Sequence, residues 1–122
     1  MNLEQVMAMT DEALRIRAAE LAGWTDINLA GKIVGVAPGG GNDDECFPIP
    51  DYPHEIAAAW ELVRSGIAEH GPHFALEYDG VDGKWMAAFY DGSEPFFEVE
   101  GNDPSIAITR SFVLAMTQEN NG

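Results

Sequence analysis

The sequence predicts an α+β fold, an α/β/α three-layer sandwich around a three-stranded antiparallel meander. Three observations lead to this prediction. Two segments with apolar residues at helical spacing precede the meander and one follows it. The turn sequences DGVDG and DGSEP separate three short segments that are typical of strands. The middle strand, KWMAAFY, is apolar on both faces, so we expect both faces of the sheet to be covered.

Capping residues mark where the three helices begin and end. Thr10 is a favourable N-cap for a first helix over about 10–22, and Gly23 is typical of a helix C-terminus. Pro53 is expected to open the second helix and Asp103 to cap the last one. The second helix is expected to bury an apolar stripe that consists of Ile56, Trp60, Val63 and Ile67.

Alternating side chains define two faces of the meander, whose strands are expected at 73–78, 84–90 and 96–100. The two rows of the middle strand are Trp85, Ala87 and Phe89 on one face and Met86, Ala88 and Tyr90 on the other. Burying a large apolar side chain contributes about 1.5–3 kcal/mol, so leaving either row in water would be costly. Because the two later helices share one face, the first helix is expected to cover the second face.

We expect a single domain over residues 1–122 with one long loop at about 25–52. Prolines and a run of three glycines interrupt any long element there, and only Ile33 to Val36 is expected as a short edge strand. A connection of this length in a compact domain is often functional. Phe47 and Tyr52 belong to this segment, and no periodic pattern places them, so they are either anchors of the loop or exposed contact residues of a binding surface.

The charge balance restricts the partners. Six basic and 21 acidic residues give a formal net charge of −15. Such a chain repels phosphate backbones and anionic lipids, so we expect no direct nucleic-acid binding and no membrane association. Acidic residues are dense over 77–103, where Lys84 is the one base. This segment is either a solvated surface or a docking face for a basic protein patch.

Four segments of the chain carry a resemblance to a known family: LRIRAAELAGWTDI, PDYPHEIAAAWELV, KWMAAFY and DPSIAITRSFVLAM. With the Gly/Pro loop they resemble the phage ABA sandwich domain family, small phage and prophage proteins with an α–β–α sandwich. Pro53 and His54 depart from the family, where Ser, Thr, Asn or Asp often starts the second helix. The resemblance implies this fold and a phage origin, and hence the host bacterial cytoplasm, but it implies no catalytic residues. The single cysteine fits a reducing compartment.

No catalytic constellation stands out, and no cofactor or metal is expected. His70 and His73 flank a Gly-Pro pair, but zinc would need further ligands. Cys46 follows three acidic residues, which disfavour the thiolate that nucleophilic chemistry requires. A small hydrolase-type enzyme that uses Cys46 and His70 is an alternative function, and a virion or assembly component is another.

The main functional expectation is a non-enzymatic phage accessory protein that binds and neutralises a host factor, as an anti-defence protein does. Its partner would be a host protein with a basic surface or a small nucleotide-like signal, and the net charge favours the protein. A homo-oligomer is also expected, because unpaired sheet edges invite pairing. The candidate binding residues are Gly39, Gly40, Gly41, Asp43, Asp44, Phe47, Tyr52, Arg64 and Arg110.

Overall fold

The computed structural model describes residues 2–28, 33–38, 46–70, 73–91 and 94–117, without the side chains of 69–70, 91 and 94–97. These residues form a mixed α+β fold of four helices and two three-stranded antiparallel sheets. The helices are α1 (Leu3–Ala8), α2 (Asp11–Leu21), α3 (Ile56–His70) and α4 (Pro104–Thr117). A small sheet has the order β1 (Thr25–Asn28), β2 (Val34–Val36), β3 (Phe47–Pro48). The main sheet has the order β4 (His73–Asp79), β5 (Lys84–Asp91), β6 (Glu94–Gly101).

Side-chain caps fix the ends of the helices. Thr10 Oγ1 accepts a hydrogen bond from the backbone N–H three residues later at 3.1 Å and starts α2, and Gly23 follows that helix with a φ of 105°. Asp103 Oδ1 accepts the equivalent bond at 2.9 Å and starts α4. These boundaries match the prediction. In addition, a reciprocal capping box between Asn2 and Gln5 makes α1 a separate short helix. Among the described residues, none of the helices has the length and apolar character of a membrane span.

The orientation of α3 differs from the predicted stripe. The helix begins at Ile56, after a turn that buries Pro53, and its buried face consists of Ala59, Leu62, Val63 and Gly66. Ile56 is exposed, and Trp60 is 45% exposed, so the prediction that both are core residues is wrong. The helix turns its small residues toward the sheet because this allows the closest approach to the buried ring of Phe89.

The predicted antiparallel meander is confirmed, with Leu76 opposite Ala87 and Ala87 opposite Val99. Its first face, which includes Ala87 and Phe89, packs against α3 and α4. At the end of β6, a Cβ on Gly101 would lie 2.5 Å from Ile106 Cγ2. Glycine is therefore required there for the chain to turn tightly from the sheet into α4.

The helix α4 lies at the centre of the core. Most of its residues from Ser105 to Ala115 are buried, because α3, β5, β6, α1 and α2 all pack against it. The predicted layering is not confirmed, since α1 and α2 make their main contacts with α4 and not with the second face of the main sheet. An amphipathic N-terminal helix can bury its apolar side on either surface, and the sequence pattern does not distinguish the two.

The segment 25–52 contains more structure than predicted. The expected strand is confirmed as β2, but it is not an edge strand, because β1 and β3 pair on either side of it. The buried residue Ile49 fixes the end of this segment to the small sheet, because its N–H donates a hydrogen bond to the Ile33 carbonyl at 3.0 Å. The Arg15 guanidinium on α2 donates to the carbonyls of Ile49 and Pro50. These bonds connect the small sheet to the helices. Strands of two to four residues are too short for periodicity to reveal.

Candidate functional site

The second face of the main sheet carries a shallow depression that we call the acidic sheet face. It is lined by Ala75, Glu77, Met86, Ala88, Tyr90 and Glu98, from all three strands. The depression holds only about 10 Å³. This volume is too small to enclose a small-molecule ligand.

The centre of the acidic sheet face is apolar and its rim is anionic. Ala88 is buried, and Met86 and Tyr90 are half-buried. The Lys84 ammonium lies 3.3 Å from a carboxylate oxygen of Glu100 and is thereby neutralised. Glu77 and Glu98, in contrast, are exposed and form no ion pair with any residue that the structure describes. The face thus presents two uncompensated carboxylates around apolar side chains, an arrangement typical of protein interfaces.

A second concave feature lies beside the small sheet, a cavity of about 330 Å³ between the end of α2, β2 and α3. Its lining is mostly apolar and comprises Ala22, Trp24, Ala37, Pro38, Pro50, Tyr52, Ala58, Glu61, Leu62 and Ser65. Glu61 is the one charged side chain among these, so the cavity favours neutral or cationic groups over anions.

Tyr52 forms a wall of that cavity and is not an exposed contact residue. It is 4% exposed, and its hydroxyl accepts a hydrogen bond from Trp24 Nε1 at 3.2 Å. Burial raises the pKa of the Tyr52 hydroxyl, the Trp24 hydrogen bond opposes this shift, and the Glu61 carboxylate adds to it. Of the two alternatives for Tyr52, the structure therefore supports the loop anchor and contradicts the exposed contact residue. The sequence could not decide between them, because the partner, Trp24, lies 28 positions earlier and no local pattern links the two.

The other loop residues have different outcomes. Phe47 lies in β3 and is 48% exposed, as predicted for a contact residue. Five candidates, Gly39, Gly40, Gly41, Asp43 and Asp44, lie outside the described residues. The structure therefore confirms the exposure of one aromatic side chain of the predicted loop surface.

The basic residues do not converge on a common site within the described part of the chain. Arg64 is 82% exposed, with the Glu61 carboxylate at 3.9 Å. Arg110 Nη1 donates to the Glu100 carbonyl at 2.9 Å and connects α4 to β6. Arg15 binds backbone carbonyls, and Arg17 lies 3.4 Å from Glu20. Neither Arg64 nor Arg110 lines the cavity beside Trp24, so the geometry offers no anion site there.

A cluster that the sequence analysis missed joins α2 to the turn before α3. His54 Nε2 lies 2.8 Å from Asp11 Oδ2, and His54 Nδ1 lies 3.0 Å from Asp51 Oδ1. The hydrogen bond with Asp11, and then that with Asp51, raises the pKa of His54. Because carboxylates contact both ring nitrogens, the imidazole acts as a structural clamp between α2 and the turn before α3. The one feature of the sequence that pointed to this cluster was the spacing of three positions between Asp51 and His54.

The described residues contain no group of three or more His, Cys, Asp or Glu side chains that could hold a metal ion. Cys46 is exposed, and the side chain of His70 lies outside the described set. The alternative that pairs Cys46 with His70 therefore stays a prediction.

Comparison with known proteins gave no relative. No family model, no curated protein and no solved structure matches this chain. The resemblance to the phage ABA sandwich domain family stays a prediction from the sequence.

Proposed function

We propose that the protein is a non-enzymatic binding protein whose acidic sheet face covers a basic surface of another protein. The observation that carries the proposal is the position of two exposed carboxylates, Glu77 and Glu98, around the apolar centre formed by Met86, Ala88 and Tyr90. Neither carboxylate forms an ion pair with another described residue. A partner with lysine or arginine beside aliphatic groups would match both features.

The net charge of the chain supports the same partner. At −15 the long-range field attracts cationic surfaces and accelerates encounter with them, while it repels nucleic acids and other acidic proteins. A bound partner would also bury the row Met86, Ala88 and Tyr90. The three-layer arrangement expected from the sequence would then be completed by the partner in place of α2.

The resemblance noted in the sequence extends the proposal to a biological setting. We place the protein among phage or prophage accessory proteins that neutralise a host factor in the bacterial cytoplasm, with a basic host protein as the target. Support for this step comes from the resemblance and from the charge. The masking of a protein is favoured over the capture of a nucleotide signal, because the described cations do not gather in a cavity.

The test uses two variants with the same total charge. Glu77→Gln/Glu98→Gln removes both rim carboxylates from the acidic sheet face. Glu4→Gln/Glu12→Gln removes two exposed carboxylates from α1 and α2 and is the control. Each protein is immobilised and exposed to bacterial extract, and the retained protein is then purified and its affinity measured. We expect one basic protein to be retained by the wild type and the control, and to bind Glu77→Gln/Glu98→Gln at least tenfold more weakly. Binding should also weaken from 0.1 to 0.5 M NaCl.

A cellular experiment tests the biological setting. The wild type and both variants are expressed in bacteria with and without a defence system, and phage plating efficiency is measured. We expect the wild type and the control to restore plating on the defended strain only. Equal affinity and equal plating for all three proteins would contradict the proposal.

A further inference from the structure

We infer that β4 is the dimerisation edge of the protein and pairs antiparallel with β4 of a second copy, with Leu76 opposite its own copy. The main sheet would thereby extend to six strands. The inference shares the strand β4 with the proposed function, because Ala75 and Glu77 line the acidic sheet face. It concerns the main-chain edge of that strand, and the two proposals predict opposite salt dependences.

The two edges of the main sheet differ in how they are protected. Within the described residues, β4 pairs only with β5 and β6 pairs only with β5. The sequence of β6, EPFFEVEG, places a proline and three glutamates along its edge, and both residue types discourage further pairing. The strand β4 contains no proline, and its two acidic residues, Glu77 and Asp79, lie in its second half, so the first half from His73 to Leu76 has no carboxylate. Of the two edges, β4 is therefore the one open to another strand.

Exposed aromatic side chains lie along this same edge. An open groove of about 600 Å³ between α3 and β4 is lined by Trp60, Val63, Ile67, His73, Phe74 and Leu76. Trp60 packs edge-on against Phe74, with ring centroids 5.8 Å apart, yet stays 45% exposed. Tyr78 is 57% exposed beside Trp85, on the same face of the sheet. Large rings exposed next to an unpaired edge are typical of a surface that another chain covers.

The sequence of β4 is complementary to itself in one antiparallel register. With Leu76 opposite the second copy's Leu76, His73 lies opposite Asp79, Phe74 opposite Tyr78, and Ala75 opposite Glu77. Each pair occurs twice because the arrangement has two-fold symmetry. Aromatic pairs are among the cross-strand contacts that stabilise antiparallel sheets, and a ring N–H of His73 can donate a hydrogen bond to the Asp79 carboxylate. The second copy's Tyr78 would then contact Phe74 beside Trp60 and fill part of the groove.

The net charge gives the dimer a distinctive salt dependence. Two chains of −15 repel each other, and salt screens this repulsion more than it weakens apolar and main-chain contacts. We therefore expect dimerisation to strengthen between 0.05 and 0.5 M NaCl. Binding of a basic partner to the acidic sheet face should weaken over the same range, so the failure of one inference leaves the other testable.

Cross-linking tests the register directly. Leu76→Cys is made in a Cys46→Ala background, which removes the one native thiol. In the inferred register the Cβ atoms of the two copies of residue 76 lie about 4.5–5.5 Å apart, close enough for a disulfide after a small adjustment. The control is Ala75→Cys in the same background, which places the two thiols diagonally, about 7–8 Å apart. We expect mild oxidation to convert most of the first variant, and little of the second, to a covalent dimer.

Mass measurements provide the second readout and do not depend on the cysteine variants. The wild type should sediment at twice 13.2 kDa at tens of micromolar protein in 0.5 M NaCl. His73→Asp, which sets two carboxylates opposite each other at both ends of the pairing, should weaken the dimer at least tenfold, whereas His73→Lys should retain it. A 13.2 kDa species at every salt concentration, or equal cross-linking of the 75 and 76 variants, would overturn the inference.

Discussion

Gly66 on α3 lies so close to the aromatic ring of Phe89 on β5 that a Cβ at this position would be 2.4 Å from two ring carbons. The ring is fully buried and cannot move into solvent. This contact sets the distance between α3 and the main sheet, and it explains why the helix exposes Trp60 and buries its smaller residues.

The first prediction follows from that contact. Gly66→Ala should lower the free energy of unfolding despite the better helix propensity of alanine. Overpacking costs about 1–3 kcal/mol and alanine recovers about 1 kcal/mol, so a net loss of up to about 2 kcal/mol is expected. Urea unfolding measures the difference. Ser65→Ala, one position earlier and only partly buried, is the control and should be neutral or slightly stabilising. A gain in stability for Gly66→Ala would show that α3 can move away from Phe89.

The hydrogen bond between Trp24 and Tyr52 gives the second prediction. Tyr52→Phe keeps the ring but leaves the Trp24 N–H without its acceptor, so the free energy of unfolding should fall by about 1 kcal/mol. Tyr78→Phe removes the hydroxyl from an exposed ring and should change stability by less than about 0.5 kcal/mol. Equal effects of the two variants in urea unfolding would argue against a structural role for this bond.

The sequence predicted the local elements of this fold better than their packing. Thr10 and Asp103 act through backbone groups only three residues away, so their caps could be read from the chain. The contact between Gly66 and Phe89 spans 23 positions and depends on shape, which hydrophobic periodicity does not encode. A stripe that places Trp60 at its centre therefore identifies a helix correctly but assigns the wrong side to the core.

The candidate site shows the same limit. The density of acidic residues over 77–103, a segment that includes Glu77 and Glu98, was visible in the sequence. The sequence did not show that Lys84 pairs with Glu100 and leaves Glu77 and Glu98 without this cation, because the choice of carboxylate depends on how the strands pair. Tyr52 could not be assigned to a cavity wall for a similar reason, since its hydrogen-bond partner comes from the end of a distant helix.

The third prediction concerns the exposed side of α3. Trp60→Ala should lower the free energy of unfolding by only about 1–2 kcal/mol, because nearly half of the side chain is already in water. Phe112→Ala, in the centre of α4 and fully buried, should cost about 3–5 kcal/mol. Both are measured by urea unfolding at submicromolar protein, where self-association does not contribute. A loss for Trp60→Ala as large as that for Phe112→Ala would place Trp60 in the core.

The last prediction concerns the His54 clamp and its dependence on pH. Asp11 and Asp51 raise the pKa of His54 in the folded protein, so the folded state holds the imidazolium more strongly than the unfolded chain does. The resulting stability is fully present below the unfolded pKa of about 6.5 and is lost as pH rises through the raised folded pKa. The wild type should therefore exceed His54→Gln in melting temperature by more at pH 5.5 than at pH 9.

Comparing the difference between the two proteins removes the general effect of the 21 acidic residues on the pH profile. Asp51→Asn in both backgrounds is the control, because loss of one carboxylate should reduce this pH-dependent difference. A difference that is the same at both pH values would show that the clamp stabilises the fold without the imidazolium charge.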